Sequence, residues 1–197
     1  MSIPNYLTRY YQKDEYPFLS LNDLPLEEAN KVKTAHCIKN GIGEFYAQND
    51  YLIHRKEIEK YIYKELIRIG GTPLNNVPLY MVLGKSPIEK YNIKLDIQKN
   101  AEEITIPVEE IDLLAVTFTY PDSMYEFVLD EDGSIAEGRR TNTPKIYLYH
   151  ELSSVINKYI IFENYQHYIE AQVWNRDMLM HYSAKQRGIT HKRPQSQ

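Results

Sequence analysis

Cysteine is almost absent from this chain of 197 residues. Cys37 is the single one, so no internal disulfide forms and no Cys/His framework for zinc is available. A reducing compartment suits that usage. Long apolar stretches are missing as well. No run approaches the ~18 residues that a membrane-spanning helix needs, and the first residues lack the charged segment and apolar stretch of a signal peptide. Together these absences predict a cytoplasmic protein. The common catalytic signatures are missing too: there is no glycine-rich phosphate loop, no Gly-x-Ser-x-Gly and no His-Glu-x-x-His. His36, His54, His150, His167, His181 and His191 are scattered, with no two at metal-ligand spacing. Asp130-Glu131-Asp132-Gly133-Ser134 echoes the start of a calcium loop but lacks the ligand run that ends in glutamate, so it reads as an acidic hairpin turn.

What the chain does contain is ordinary in bulk. Apolar residues make up 43% and charged residues 25%, enough for a sizeable core in one domain. That domain is expected over residues 1–182, with a basic, disordered tail over 183–197. The net charge of -4 implies no partner, but it is unevenly spread. From Arg176 to Gln197 there are five basic residues and one acid, so this end is positive and the remainder strongly negative. Such an end either touches nucleic acid or another acidic surface, or is simply solvated. Tyrosine is the outlier, with 18 against 5 phenylalanines and 1 tryptophan. Pairs such as Tyr10-Tyr11 and Tyr61/Tyr63 would suit a wet cleft that stacks on a ring or base. An AT-rich genome gives the same composition.

The apolar pattern predicts an α+β domain: two N-terminal helices followed by a mainly antiparallel or mixed sheet with one further helix. Tyr6–Tyr11 reads as a first strand. Pro25, Glu27 and Glu28 open a helix that runs to about Ile38 and ends at Asn40-Gly41. A longer helix spans Leu52 to Ile69, with Ile58, Tyr61/Ile62, Leu66 and Ile69 inward, and Gly70-Gly71 stops it. Further strands are expected at Leu79–Leu83, Ile104–Val108, Ala115–Tyr120, Tyr125–Leu129, Lys145–Tyr149 and Tyr168–Trp174, with a short helix at His150–Ile160. Lys56, Lys60, Lys64 and Arg68 recur every four residues on the long helix, a stripe able to hold a phosphate-rich ligand. Glu57, Glu59 and Glu65 are interleaved, which favours a salt-bridged, solvated face.

Three groups are candidates for chemistry. The last strand alternates so that Tyr168, Glu170, Gln172 and Trp174 share one face, which sets a carboxylate and an amide among rings. Glu170 there either serves as an acid or base, pairs with an arginine for structure, or faces water. Arg9 lies on the first strand beside Tyr10, where a long cation needs a partner or an anionic ligand. Asp122 and Ser123 follow a strand end, a place for a site or for an ordinary turn.

Several segments in order resemble a family of uncharacterised cytosolic proteins of bacteria, mostly Firmicutes. They are Tyr6-Leu7-Thr8-Arg9-Tyr10-Tyr11, Tyr16-Pro17-Phe18 with Asp23-Leu24-Pro25, Gly70-Gly71-x-Pro73, Pro78–Gly84, Thr117–Met124 and Tyr168–Asn175. That resemblance implies no activity, cofactor or partner. The order of elements is also similar to the ADP-ribosyltransferase fold, in which an early strand supplies a cation for NAD and a late strand a catalytic glutamate. The likeness implies NAD as cofactor, Arg9, Tyr10 and Ser123 near it, and Glu170 as the catalytic residue. The chain departs from that fold in lacking its Ser-Thr-Ser strand motif and its His-Tyr pair. The alternative expectation is a non-enzymatic module that binds protein or nucleic acid through its tyrosines, the basic helix stripe or the tail.

Overall fold

A computed structural model describes residues 3–12, 16–40, 50–86, 101–120, 122–124, 144–159, 168–180 and 182. Its elements are β1 (Tyr6–Gln12), α1 (Leu26–Asn40), α2 (Tyr51–Arg68), β2 (Leu79–Leu83), β3 (Ala101–Pro107), β4 (Val116–Thr119), β5 (Ile146–Tyr147), α3 (Leu152–Tyr159) and β6 (Glu170–Val173). The six strands form one sheet in the order β3-β1-β2-β6-β4-β5, and every pairing is antiparallel. This is the predicted α+β class. β1 precedes both long helices yet sits inside the sheet, between β3 and β2.

The two faces of the sheet differ in chemistry. Leu79, Val173 and Val116 form one cross-strand row, and Met81, Ala171, Phe118 and Tyr147 belong to the same face. α3 covers that face with Leu152, Val155 and Ile156. On the opposite face, Thr8, Val82, Glu170 and Thr119 form a row, and Tyr80, Gln172 and Thr117 form the next. α1 and α2 cover this more polar face through Ala29, Leu52, Ile58, Ile62 and Leu66, with Trp174 packed among them. β6 lies between β2 and β4, and with helices on both sides of the sheet both of its faces are buried.

Local chemistry explains the boundaries. α2 ends in a Schellman motif: the Gly71 N–H donates to Leu66 O at 2.8 Å and the Gly70 N–H to Ile67 O at 3.0 Å. Gly70 takes φ +91°, which suits glycine. A Cβ at Gly71 would stand 2.0 Å from Leu66 Cδ1, so the second glycine admits the close return of the chain. Pro107 closes β3, which is an edge strand, where a residue without an N–H leaves no ladder bond unmade.

Some expectations shift. The strand expected at Lys145–Tyr149 is two residues long, because the Leu148 N–H donates to the Glu151 carboxylate and turns the chain into a 3-10 segment, Tyr149–Glu151, ahead of α3. The alternation at Tyr168–Trp174 holds, though only Glu170–Val173 is laddered. Glu59 does not belong to a solvated face: it is 3% exposed and points at the sheet. Lys60, Lys64 and Arg68 are exposed, and Arg68 pairs with Glu65 at 2.8 Å. The hairpin at Tyr125–Leu129, the turn at Asp130–Ser134 and the tail 183–197 lie outside the described residues. Among the described residues, no helix is long and apolar enough to cross a membrane.

Candidate functional site: a tyrosine-walled cavity and the polar cluster behind it

The β1–β2 ladder pairs Leu7 with Leu83 and Thr8 with Val82, and then stops. Continuing the register would set Tyr10 against Tyr80. Instead the strands part, and the guanidinium of Arg9 enters the gap. Its Nη1 donates to Tyr80 O at 3.0 Å, Nε to Pro17 O at 2.9 Å and Nη2 to Leu19 O at 3.2 Å. Arg9 thus replaces ladder bonds with side-chain bonds, which keeps those carbonyls satisfied. It shares its row with Ile104, which faces the α3 side, so its side chain leaves the sheet on the face opposite Glu170.

A cavity of about 530 Å³ opens beside this split, between β1, the start of β2, and helices α1 and α2. Tyr10, Tyr11, Tyr16, Tyr51 and Tyr80 supply rings to its walls. Three cations also line it: Arg9, Lys33 and Arg55. The one acid in the described walls is Asp23, and it is already held by both Nη atoms of Arg176, at 2.5 and 2.8 Å. Burial pushes the Asp23 carboxyl up, but Arg176 and the Ser20 N–H outweigh it and hold the carboxyl below its ordinary value. Arg176, counted by sequence with the basic C-terminal end, is therefore a structural cation. The hydroxyl of Tyr10 accepts from the Ser86 N–H at 3.0 Å, and burial raises its pKa.

Arg55 links the cavity to a buried polar cluster. Its guanidinium lies over the Tyr80 ring, 3.7 Å from the centroid, and Nη1 donates to the Tyr51 hydroxyl at 2.7 Å. Nε stands 3.6 Å from Glu59 Oε1. That same oxygen accepts from the Tyr80 hydroxyl at 2.9 Å and from Asn22 Nδ2 at 2.6 Å. Burial raises the pKa of Glu59, while Arg55 and these two donors work against the rise.

Behind Arg55 lies Glu170, 8% exposed. Its Oε2 accepts from the Ser123 N–H at 2.9 Å, the Ser123 hydroxyl at 2.5 Å and Gln172 Nε2 at 2.9 Å. Gln172 also donates to Thr119 Oγ1 at 3.1 Å and accepts from Thr117 Oγ1 at 2.8 Å, and Thr117 in turn accepts from Trp174 Nε1 at 3.0 Å. The structure thus brings together two sequence candidates, Glu170 and Ser123. It sets Tyr10 in the cavity wall on the same sheet face, and it keeps Arg9 away on the other. Glu170 does not line the cavity.

Asp122 completes the cluster. Its Oδ1 accepts from the Met124 N–H at 2.9 Å in a tight turn. Burial, together with the negative charge of Glu170, pushes its carboxyl up to about 7, and Arg55 opposes the rise. A carboxyl whose folded pKa lies above its unfolded value binds its proton better when folded. Its stabilising effect is therefore complete at low pH and fades as the pH climbs toward 7. Unfolding free energy should fall as the pH rises from about 4 to about 7 and level off above that, by roughly 4 kcal/mol for a shift of this size. Asp122→Asn keeps the turn acceptor and removes the charge, so urea melts of that variant should show a much flatter pH profile. An unchanged slope would remove Asp122 as its source.

Residues missed by sequence reasoning are Arg55, Glu59, Lys33 and Tyr80. Among the described residues no group of three His, Cys, Asp or Glu is placed to hold a metal ion. No protein-family model, curated protein or solved structure matches the chain.

Proposed function

We propose that the protein binds a small anionic ligand carrying a planar ring, with nucleotides, NAD among them, as the class that fits. The supporting observation is the composition of the cavity: Lys33 and Arg55 line it together with five tyrosines, Arg9 borders it with its guanidinium held by backbone carbonyls, and its one described acid is paired with Arg176. Tyrosine rings offer stacking faces, and cations in a confined space of low polarity attract an anion more strongly than they would in water. The volume, about 530 Å³, is in the range of small-molecule sites. The reading takes the protein to be bacterial and cytoplasmic, as the sequence suggested.

Binding is favoured over transfer chemistry for a geometric reason. An ADP-ribosyltransferase-like activity needs Glu170 at the ligand, yet Glu170 Oε2 is occupied by Ser123 and Gln172. The alternative module, docking nucleic acid on the Lys56–Arg68 stripe, has exposed cations to offer but also the Arg68–Glu65 pair. A thermal-shift screen with AMP, NAD and an aromatic carboxylate tests the cavity. A ligand at one hundred times its Kd should add about 2.7 kcal/mol of stability. Val32→Trp places bulk in the cavity wall without removing a polar group and should abolish the shift. Equal shifts in both proteins, or none in either, would overturn the reading.

A further inference from the structure

Lys33 stands out among the cavity walls. It lies on α1, its residue is 4% exposed, and its side chain still borders the cavity. Its Nζ is 5.9 Å from the centroid of the Tyr51 ring. Arg55 approaches the same ring, with its central carbon 6.0 Å from the centroid. A buried amine, a permanent guanidinium and an aromatic face therefore converge on one half-open cavity. Burial lowers the pKa of Lys33, and Cys37 and Asp50 offset that only in part. A lysine so placed offers its lone pair more readily than a solvated one.

We propose that Lys33 is a carbonyl-capturing residue, and that the cavity takes a small aromatic aldehyde bearing an anionic group. This rests on the cavity reading above and deepens it by naming the reactive group. In the step, the Nζ lone pair attacks the carbonyl carbon and the C=O π electrons move to oxygen. The oxygen is protonated, the nitrogen loses a proton, and a carbinolamine results. Loss of its hydroxyl as water then forms the C=N bond. Amine and aldehyde give imine and water, with no change of oxidation state. Arg55 holds the anionic group, and Tyr51 lies against the ring.

The experiment uses the full chain at neutral pH with pyridoxal 5′-phosphate as probe, trapped with borohydride and mapped by peptide mass spectrometry. Lys33 should take at least tenfold more label than the exposed Lys60 and Lys64, and AMP should suppress it. Lys33→Arg should lose this label while its melting curve stays cooperative. Label spread evenly over surface lysines would overturn the proposal. Pyridoxine 5′-phosphate, which has an alcohol in place of the aldehyde, separates the two levels. If it raises the melting temperature but the aldehyde leaves Lys33 unlabelled, carbonyl capture fails and the cavity reading stands. If neither it nor the nucleotides bind and Lys33 is unlabelled, both fail.

Discussion

Glu170→Ala should destabilise the protein by about 3–5 kcal/mol, because it removes the shared acceptor of a buried network. Three donors converge on Oε2: the Ser123 N–H, the Ser123 hydroxyl and Gln172 Nε2. An unmade hydrogen bond costs a buried group roughly 1–3 kcal/mol, and the Ser123 backbone N–H cannot rotate away. Gln172 keeps its bond to Thr119, so its loss is the smaller share. Glu170→Gln retains an acceptor oxygen but sets an amide against donors, so its cost should fall between wild type and alanine. Urea denaturation monitored by tryptophan fluorescence reports both variants, since Trp174 is tied to the same network through Thr117 and Gln172. A loss below about 1 kcal/mol for alanine would show that water replaces the carboxylate and that the network is not a support of the fold.

How this site follows from the sequence is uneven, and the reasons are physical. Strand periodicity is local, so the Tyr168–Trp174 alternation could be read directly, and with it the placing of Glu170 and Gln172 on one face. The same logic applies to β4, where Thr117 and Thr119 alternate with Val116 and Phe118. What periodicity does not carry is strand order. β6 is central and α1 and α2 cover its polar face, and only that placing makes the face a buried one. A buried polar face then requires polar partners from whatever covers it. That requirement explains Glu59, whose spacing among Lys56, Lys60 and Lys64 mimics a solvated stripe. The one available signal was pairwise: Thr8, Gln172 and Thr117 find partners in the backbone or among neighbouring strand residues, but a helix covering Tyr80 must present an acceptor for its hydroxyl, as Glu59 does.

Arg9 shows the opposite case. Its position on a tyrosine-rich strand called for a partner or an anionic ligand, and the structure supplies partners: β1 and β2 separate after Thr8, and Tyr80 O, freed there, accepts from it together with Pro17 O and Leu19 O. Where a ladder ends depends on the partner strand and on the segment Pro17–Leu19 that passes beside it, neither of which β1 itself encodes. Asp122 and Ser123 divide the two functions proposed for their turn. Asp122 makes an ordinary tight turn with Met124, while Ser123 serves the buried carboxylate.

Arg55→Met should have a comparable cost and a distinctive pH dependence. Arg55 is the cation nearest to a set of three carboxyls: it approaches Glu59 at 3.6 Å and lowers the proton affinity of both Glu59 and Asp122. Methionine fills similar space and keeps contact with the Tyr80 ring, so the loss is chiefly electrostatic. Removing one partner from a buried ionic cluster costs about 3–5 kcal/mol when the others remain charged. The carboxyls have a way out, because they can take up protons. Glu59 and Asp122 already bind protons more tightly than free side chains, and without the guanidinium their pKa values rise further. The variant therefore loses stability more steeply than wild type as pH rises: the deficit should be small near pH 5 and largest near pH 8. Adding Asp122→Asn removes one of the repelling charges and should recover part of the loss at pH 8 while changing little at pH 5. A deficit independent of pH, or a double variant no better than the single one, would mean that Arg55 stabilises the fold by packing on Tyr80 and Tyr51 and not by balancing the carboxyls beneath the cavity.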